Sequence, residues 1–318
     1  MSPPSHALPG AGRSARPAKL ALAFGCIYVV WGSTYLAIRF AVETIPPFAM
    51  AGIRFLLAGG ILYAWLAIRG HARRATAAQW RAAAISGGLF FLGGNGGVCW
   101  AEQRVPSGIT ALVIASMPLW IALLDWIGPA GTRPTLRTVA GIAIGFLGVA
   151  ILIGPTEMSG SAVDPAGAVV LLAAAISWAA GTIYSRHAAH PGNHLQSTAM
   201  QMLAGGVLLC AAGVASGDWS RLDLAAVTLQ SVASMVYLSL FGSILAFSAY
   251  NWLLHATTPA RVSTYAYVNP PIAVVLGWGL AGESISPRIL LAGAVIVASV
   301  AMILRPASTR RSREAAGS

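Results

Sequence analysis

Apolar and polar positions fall into long apolar blocks separated by short polar breaks, without the alternation of a half-exposed strand or the one-sided stripe of a surface helix. Ten blocks can be drawn: 20–40, 47–68, 82–101, 106–127, 138–154, 167–185, 196–216, 229–254, 259–281 and 287–304. A helix needs about 20 mostly apolar residues to cross the hydrocarbon core of a bilayer. The pattern therefore predicts an all-α membrane protein with ten transmembrane helices. Charged or turn-forming residues mark the breaks, and the narrowest lies near Val105, where Glu102 and Arg104 stand between neighbouring blocks. Arg13, Arg16 and Lys19 precede the first block, as basic residues precede a cleaved signal. That block is too long for a signal and carries Arg39 near its far end with no small-residue cleavage site, so it reads as a retained span.

Composition strengthens this reading. Charged residues make up 9% of the 318 and hydrophobic ones 57%, with a mean hydropathy of +0.72. Soluble domains carry roughly 25% charged residues, so a soluble enzyme, a nucleic-acid binder and a disulfide-stapled secreted domain are excluded. The net charge of +11 is a topology signal. With a cytoplasmic N-terminus, 15 of the 20 Lys and Arg fall in the two tails and in the loops holding Arg74, Arg133, Arg186 and Arg261. The opposite loops hold only Arg104, Arg221 and Arg288, together with most of the acids. By the positive-inside bias both termini are expected in the cytoplasm, with the chain in the cytoplasmic membrane. The cluster Arg305, Arg310, Arg311 and Arg313 serves either as a topology anchor or as a patch for anionic headgroups. Cys26, Cys99 and Cys210 lie far apart inside apolar blocks, which suggests buried thiols and no metal or cofactor site.

The blocks divide five and five. The expected organisation is a tail at 1–19, a first half at 20–154, an extracytoplasmic connection at 155–166, a second half at 167–304 and a basic tail at 305–318. Trp31 and Arg39 are separated as Trp178 and Arg186 are; Leu57-Ala-Gly-Gly60 recurs as Leu203-Ala-Gly-Gly206; Pro106 with Pro118 recurs as Pro259 with Pro271. The three matches keep their order at offsets of 146 to 153, which points to a duplication. With an odd number of spans per half, the second half enters the membrane from the other side. The halves then form inverted-topology repeats, an arrangement of secondary transporters.

Trp31-Gly-Ser-Thr-Tyr35, Ile45-Pro-Pro-Phe48 with Arg54-Phe55, and Asn269-Pro-Pro271 followed by Gly282-Glu283 resemble the ten-helix, EamA-type branch of the drug/metabolite transporter superfamily. The resemblance covers roughly 19–304. It implies a carrier of small metabolites, commonly an exporter of amino acids or related compounds, with a central cavity and with the fifth and tenth helices at the periphery. Gly282-Glu283 after the ninth block is replaced after the fourth by Gly128-Pro-Ala-Gly-Thr132, so the halves differ there.

A mid-span proline frees a carbonyl, and interrupted helices at matching places in two halves point to a transporter's binding site. Pro118 and Pro271 are such a pair, open also to the plainer reading of packing kinks; Asn269 adds an amide beside the second. Arg54, some seven residues into the second block, is either a clamp for a substrate carboxylate or a tie to carbonyls or Glu43. Gln201 holds the corresponding place in the second half. Trp31, Tyr35, Trp100, Trp178, Tyr237, Tyr265 and Tyr267 are cavity candidates, weighed against an interfacial belt. Asn95, among Gly93, Gly94, Gly96 and Gly97, lies where a ligand or another helix can approach closely. Gly141 and Gly145 read as helix packing. No acid falls near the middle of a block; Glu102 and Asp125 lie near ends, so nothing marks a proton relay.

The expected partners are a small-molecule substrate and the bilayer, with room for a homo-oligomer. Drug-like compounds, nucleosides or sugars are alternative cargo. A channel needs no inverted repeat, and a membrane-embedded enzyme needs a nucleophile, metal cluster or carboxylate pair that the spans lack.

Overall fold

The computed structural model describes residues 17–128, 135–153, 164–257, 262 and 264–304, and within these the side chains of Arg186, His187, Asn251, Leu254, His255, Tyr267 and Leu304 are not described. Residues 1–16 of the expected first tail, 155–163 of the expected connection and the tail at 305–318 lie outside the described residues, while 17–19 belong to the first helix.

Among the described residues the fold is all-helical. Seven helices are α1 (Pro17–Ala41), α2 (Pro47–Ile68), α3 (Ala77–Ala101), α4 (Ser107–Ile127), α5 (Leu136–Ile153), α6 (Pro165–His187) and α7 (His194–Ala215). After a single turn at Asp218–Arg221, α8 runs through Leu229–Tyr237, Leu238–Leu245 and Ala246–Ala256, followed by α9 (Tyr265–Ala281) and α10 (Pro287–Leu304). Eight helices, α1 to α8, are long and apolar enough to cross a membrane; α9 and α10 contribute shorter apolar stretches. The third helix starts at Ala77, five residues before the predicted 82, because Thr76 and Gln79 form a reciprocal capping box that carries the helix past Arg81. Asp164 and Asn193 likewise cap α6 and α7.

Packing explains the repeated glycines. The helices α2 and α7 lie against each other, and a Cβ on Gly59 would come within 3.0 Å of the Ala199 carbonyl and Leu203 N, while one on Gly206 would meet Leu56 N at 3.0 Å. The duplicated Leu-Ala-Gly-Gly sequences are thus two sides of one crossing, where small residues let backbones approach. In α3, Gly93, Gly94 and Gly97 admit Ser177, Trp178 and Ala174 of α6. Gly141, Gly145 and Gly148 of α5 receive Ile303, Ser299 and Ile296 of α10.

The ends of the bundle differ. At one, Thr44 donates to Ser231 Oγ (2.8 Å), Ser231 Oγ donates to the Phe40 carbonyl (2.7 Å), and Arg39 Nη1 donates to the Glu102 carbonyl (2.7 Å). The carboxylate of Asp218 accepts from Phe48 N (2.7 Å) at the start of α2. Glu283 accepts from Ser107 N (2.6 Å) and Gly108 N (3.0 Å) at the start of α4. This is the latched end. At the other, Arg73 and Gln196 exchange two bonds, and Gln79 donates to the His190 carbonyl.

Candidate functional site

The helices α1, α2, α3, α4, α6, α8 and α9 surround a central cavity of about 100 Å³. Of the residues singled out from the sequence, Trp31, Tyr35, Arg54, Asn95, Trp178, Tyr265 and Asn269 line it. A larger vestibule of about 360 Å³ lies beyond, lined by Gln201 and by His190 and His194 from the end opposite the latch. Trp31, Trp178, Phe247 and Tyr265 line both spaces and form an aromatic layer between them. Trp31 meets Phe247 edge-on at 5.2 Å and Tyr265 at 5.0 Å, and Trp178 stacks on Phe247 at 6.5 Å. Such contacts hold rings in defined orientations while leaving no strong bond to break.

Two wide turns shape this region. Gly88–Gly96 in α3 and Leu238–Leu245 in α8 are π-helical, a form found mostly in short stretches at functional sites. In the first, Asn95 Nδ2 reaches back to the Phe90 carbonyl at 3.5 Å. In the second, the Gly242 carbonyl accepts from Trp31 Nε1 at 3.2 Å, which ties the aromatic layer to α8.

Among the described residues, Arg54 is the one charged side chain lining the central cavity. It is 3% exposed, its Nε donates to Ser243 Oγ at 3.1 Å and its guanidinium lies 4.6 Å from the Phe55 ring centre. Its Nη1 has no acceptor among the described residues. The predicted tie to Glu43 is not made: Glu43 is exposed in the loop after α1, and Ser243 of α8 takes its place. Asn269, 6% exposed, with its amide oriented by its surroundings, donates to the carbonyls of Tyr28 (3.2 Å) and Tyr265 (3.3 Å), linking α9 to α1.

Four candidates stand away from the lining. Trp100 packs on the core under the Arg104 guanidinium, 4.1 Å from its ring. Tyr237 shares a 2.7 Å hydrogen bond with Ser33. Pro118 is buried in α4, where the helix is broken at Ala115 and Ser116, and Ser116 Oγ donates to the Val113 carbonyl (2.6 Å). Its neighbours Ile114, Ala115 and Met117 face the cavity. In α9 Pro271 is exposed and Pro270 lines the cavity. Tyr267 lies outside the described side chains.

Sequence reasoning missed Glu102. One residue beyond α3 and near the latched end, it is nonetheless fully buried, and both carboxylate oxygens lack a hydrogen-bond partner among the described residues. Burial pushes its carboxyl well above the usual carboxylate range, Glu283 adds to that, and Arg39 and Arg54 oppose it. Gly242, Ser243 and Phe247, all in α8, were also not singled out from the sequence.

The chain is 42% identical over 280 residues to an inner membrane transporter of Escherichia coli K12, YedA, described as uncharacterized, covering 87% of this chain and 88% of that one. It is 29% identical to protein PecM of Dickeya dadantii, over 84% and 88% of the two chains. A probable amino-acid metabolite efflux pump of Salmonella typhimurium is 27% identical, over 85% and 89%. A solved crystal structure shares the fold with a TM-score of 0.63 at 21% identity, over 91% of this chain and 98% of that one. The first of these is described as an inner membrane transporter and the third as a probable efflux pump, neither as an enzyme. The family model of the EamA-like transporters matches twice, at 19–154 and 165–305, so the chain carries two EamA repeats and belongs to the EamA-like transporter family.

Proposed function

We propose that the protein exports small metabolites, with amino acids and related amphipathic compounds foremost, across the cytoplasmic membrane by alternating access. In this reading ten helices span the bilayer as two inverted five-helix halves, the vestibule opens to the cytoplasm with both termini, and the latched end faces outward. The observation that carries it is the asymmetry around the cavity. One side is closed by hydrogen bonds between loops and helix ends; the other is separated from a wide vestibule by aromatic rings alone. The basic residues Arg69, Arg73, Arg74 and Arg81 sit at the vestibule end, which supports a cytoplasmic assignment. A lining of aromatic, hydroxyl and amide groups suits a small body that is apolar on one side and polar on the other. The likeness to the Salmonella efflux pump supports amino-acid metabolites as cargo.

Purified protein in liposomes preloaded with unlabelled compound is expected to accumulate labelled amino acids or related amphipathic metabolites by counterflow. Folded protein that exchanges none of them refutes the cargo assignment, and leakage without counterflow refutes alternating access.

A further inference from the structure

On the reading that this cavity is the transport site, its electrostatics select within the amphipathic cargo and place acids related to amino acids but lacking the amino group ahead of the amino acids themselves. Among the described residues its lining includes Arg54 and no aspartate or glutamate, and the vestibule lining likewise has neither. Arg54 makes no ion pair among the described residues; its Nε is satisfied by Ser243, and its buried Nη1 is not satisfied at all. The buried Glu102 acts on Arg54 from outside the lining but makes no ion pair with it, so Nη1 stays without an acceptor, a costly state for a guanidinium in a low-dielectric site that an anion with two acceptor oxygens relieves directly. The rest of the lining says what should be attached to that anion. Trp31, Trp178, Phe247 and Tyr265 present ring faces and edges, and Ile38, Val98, Ile114 and Met117 present apolar surface.

We propose that the preferred substrates are aromatic or bulky apolar monocarboxylates without a free amino group, with the carboxylate on Arg54 and the apolar body among Trp31, Trp178, Phe247 and Tyr265. A zwitterionic amino acid fits less well. Its ammonium would stand a few ångströms from the same guanidinium with no carboxylate in the lining to receive it, and like charges at that range repel in a site shielded from water. A neutral amide of the same body leaves Nη1 facing a single carbonyl oxygen and the charge uncompensated. Recognition thus turns on net charge at one end of the ligand, while the aromatic body sets the size.

The test uses the purified full-length protein and four compounds with one aromatic body: 3-phenylpropionate, 3-phenylpropionamide, phenylalanine and phenethylamine. Binding is measured by calorimetry and exchange by counterflow at neutral pH. The expected order places 3-phenylpropionate about 10-fold to 100-fold tighter than the amide and phenylalanine, the size of a charge-assisted hydrogen bond, with phenethylamine weakest. Arg54→Gln is expected to remove the preference for acid over amide while retaining amide binding, and Arg54→Lys to keep some of that preference. If Arg54→Gln does not fold, the four-compound comparison on the unaltered protein decides by itself. Equal or tighter binding of phenylalanine, the amide or the amine overturns the proposal and leaves the transport cavity standing. An acid preference that survives Arg54→Gln overturns the assignment to Arg54. No binding or exchange of any of the four overturns both the proposal and the reading of the cavity on which it rests.

Discussion

Replacing Glu283 by glutamine perturbs the latch with little change of shape. The carboxylate accepts from two backbone N–H groups at the start of α4, at 2.6 and 3.0 Å, where the unpaired amides of a helix N-terminus favour negative charge. Hydrogen bonds to a charged acceptor contribute about 1.5–3 kcal/mol each after competition with water. A glutamine keeps one neutral carbonyl bond and turns an amino group toward the other N–H. The closed arrangement should therefore lose at least about 2 kcal/mol, roughly a 30-fold shift toward an arrangement opened at this end. Ala111 reports on it: it lies one turn into α4 from Ser107, lines the cavity and is 1% exposed. In a protein lacking Cys26, Cys99 and Cys210 and carrying Ala111→Cys, labelling by an impermeant maleimide in intact cells should accelerate by about that factor when Glu283→Gln is added. An unchanged rate in a variant with an unchanged melting temperature would refute the latch. Faster labelling only from the cytoplasmic side, in inverted vesicles, would refute the assigned orientation.

Three further outcomes are expected. Gly87→Ala should lower the melting temperature in detergent by an amount corresponding to about 1–3 kcal/mol, because the added Cβ meets backbone atoms of α7, the Gln201 carbonyl at 2.5 Å and Gly205 N at 2.8 Å, which cannot rotate away. Asn269→Ala should cost about 1–3 kcal/mol by leaving the Tyr28 and Tyr265 carbonyls short of a donor, again read by thermal unfolding; an unchanged melting temperature refutes the α1–α9 tie. Glu102 is raised in the folded protein, so its contribution is fully present below the ordinary carboxylate range and is lost as pH climbs toward its folded value. Glu102→Gln should therefore flatten the decline of melting temperature with rising pH, and an identical pH profile in both proteins refutes that role.

The layout of helices was legible because a bilayer demands long apolar blocks, and the breaks at 69–76 and 102–106 carry charges no lipid would accept. The repeated Leu-Ala-Gly-Gly was legible as a repeat, but the reason for its glycines needs both copies in contact, and nothing in either copy names the other as partner. Arg54 was recognisable as an anomaly within a span; Ser243 as its partner was not, since the two lie 189 positions apart. Neighbouring residues on a helix differ by about 100° in direction, so choosing between Pro270 and Pro271 required knowing which way α9 faces. Depth along the chain also misjudged Glu102: it lies at a helix end, yet its side chain is fully buried, and Arg39 of α1 donates to its backbone carbonyl.

The two wide turns bear on ancestry. A π-helical turn accommodates one residue more than an α-helical turn, so an insertion into a continuous helix can survive as such a turn, at the expense of redirecting every side chain beyond it. The stretches beginning at Gly88 and Leu238 stand 150 positions apart, within the spacing that separates the other duplicated features. One insertion in a single ancestral half, copied when that half doubled, accounts for both; two independent events at matching sites do not have to be invoked.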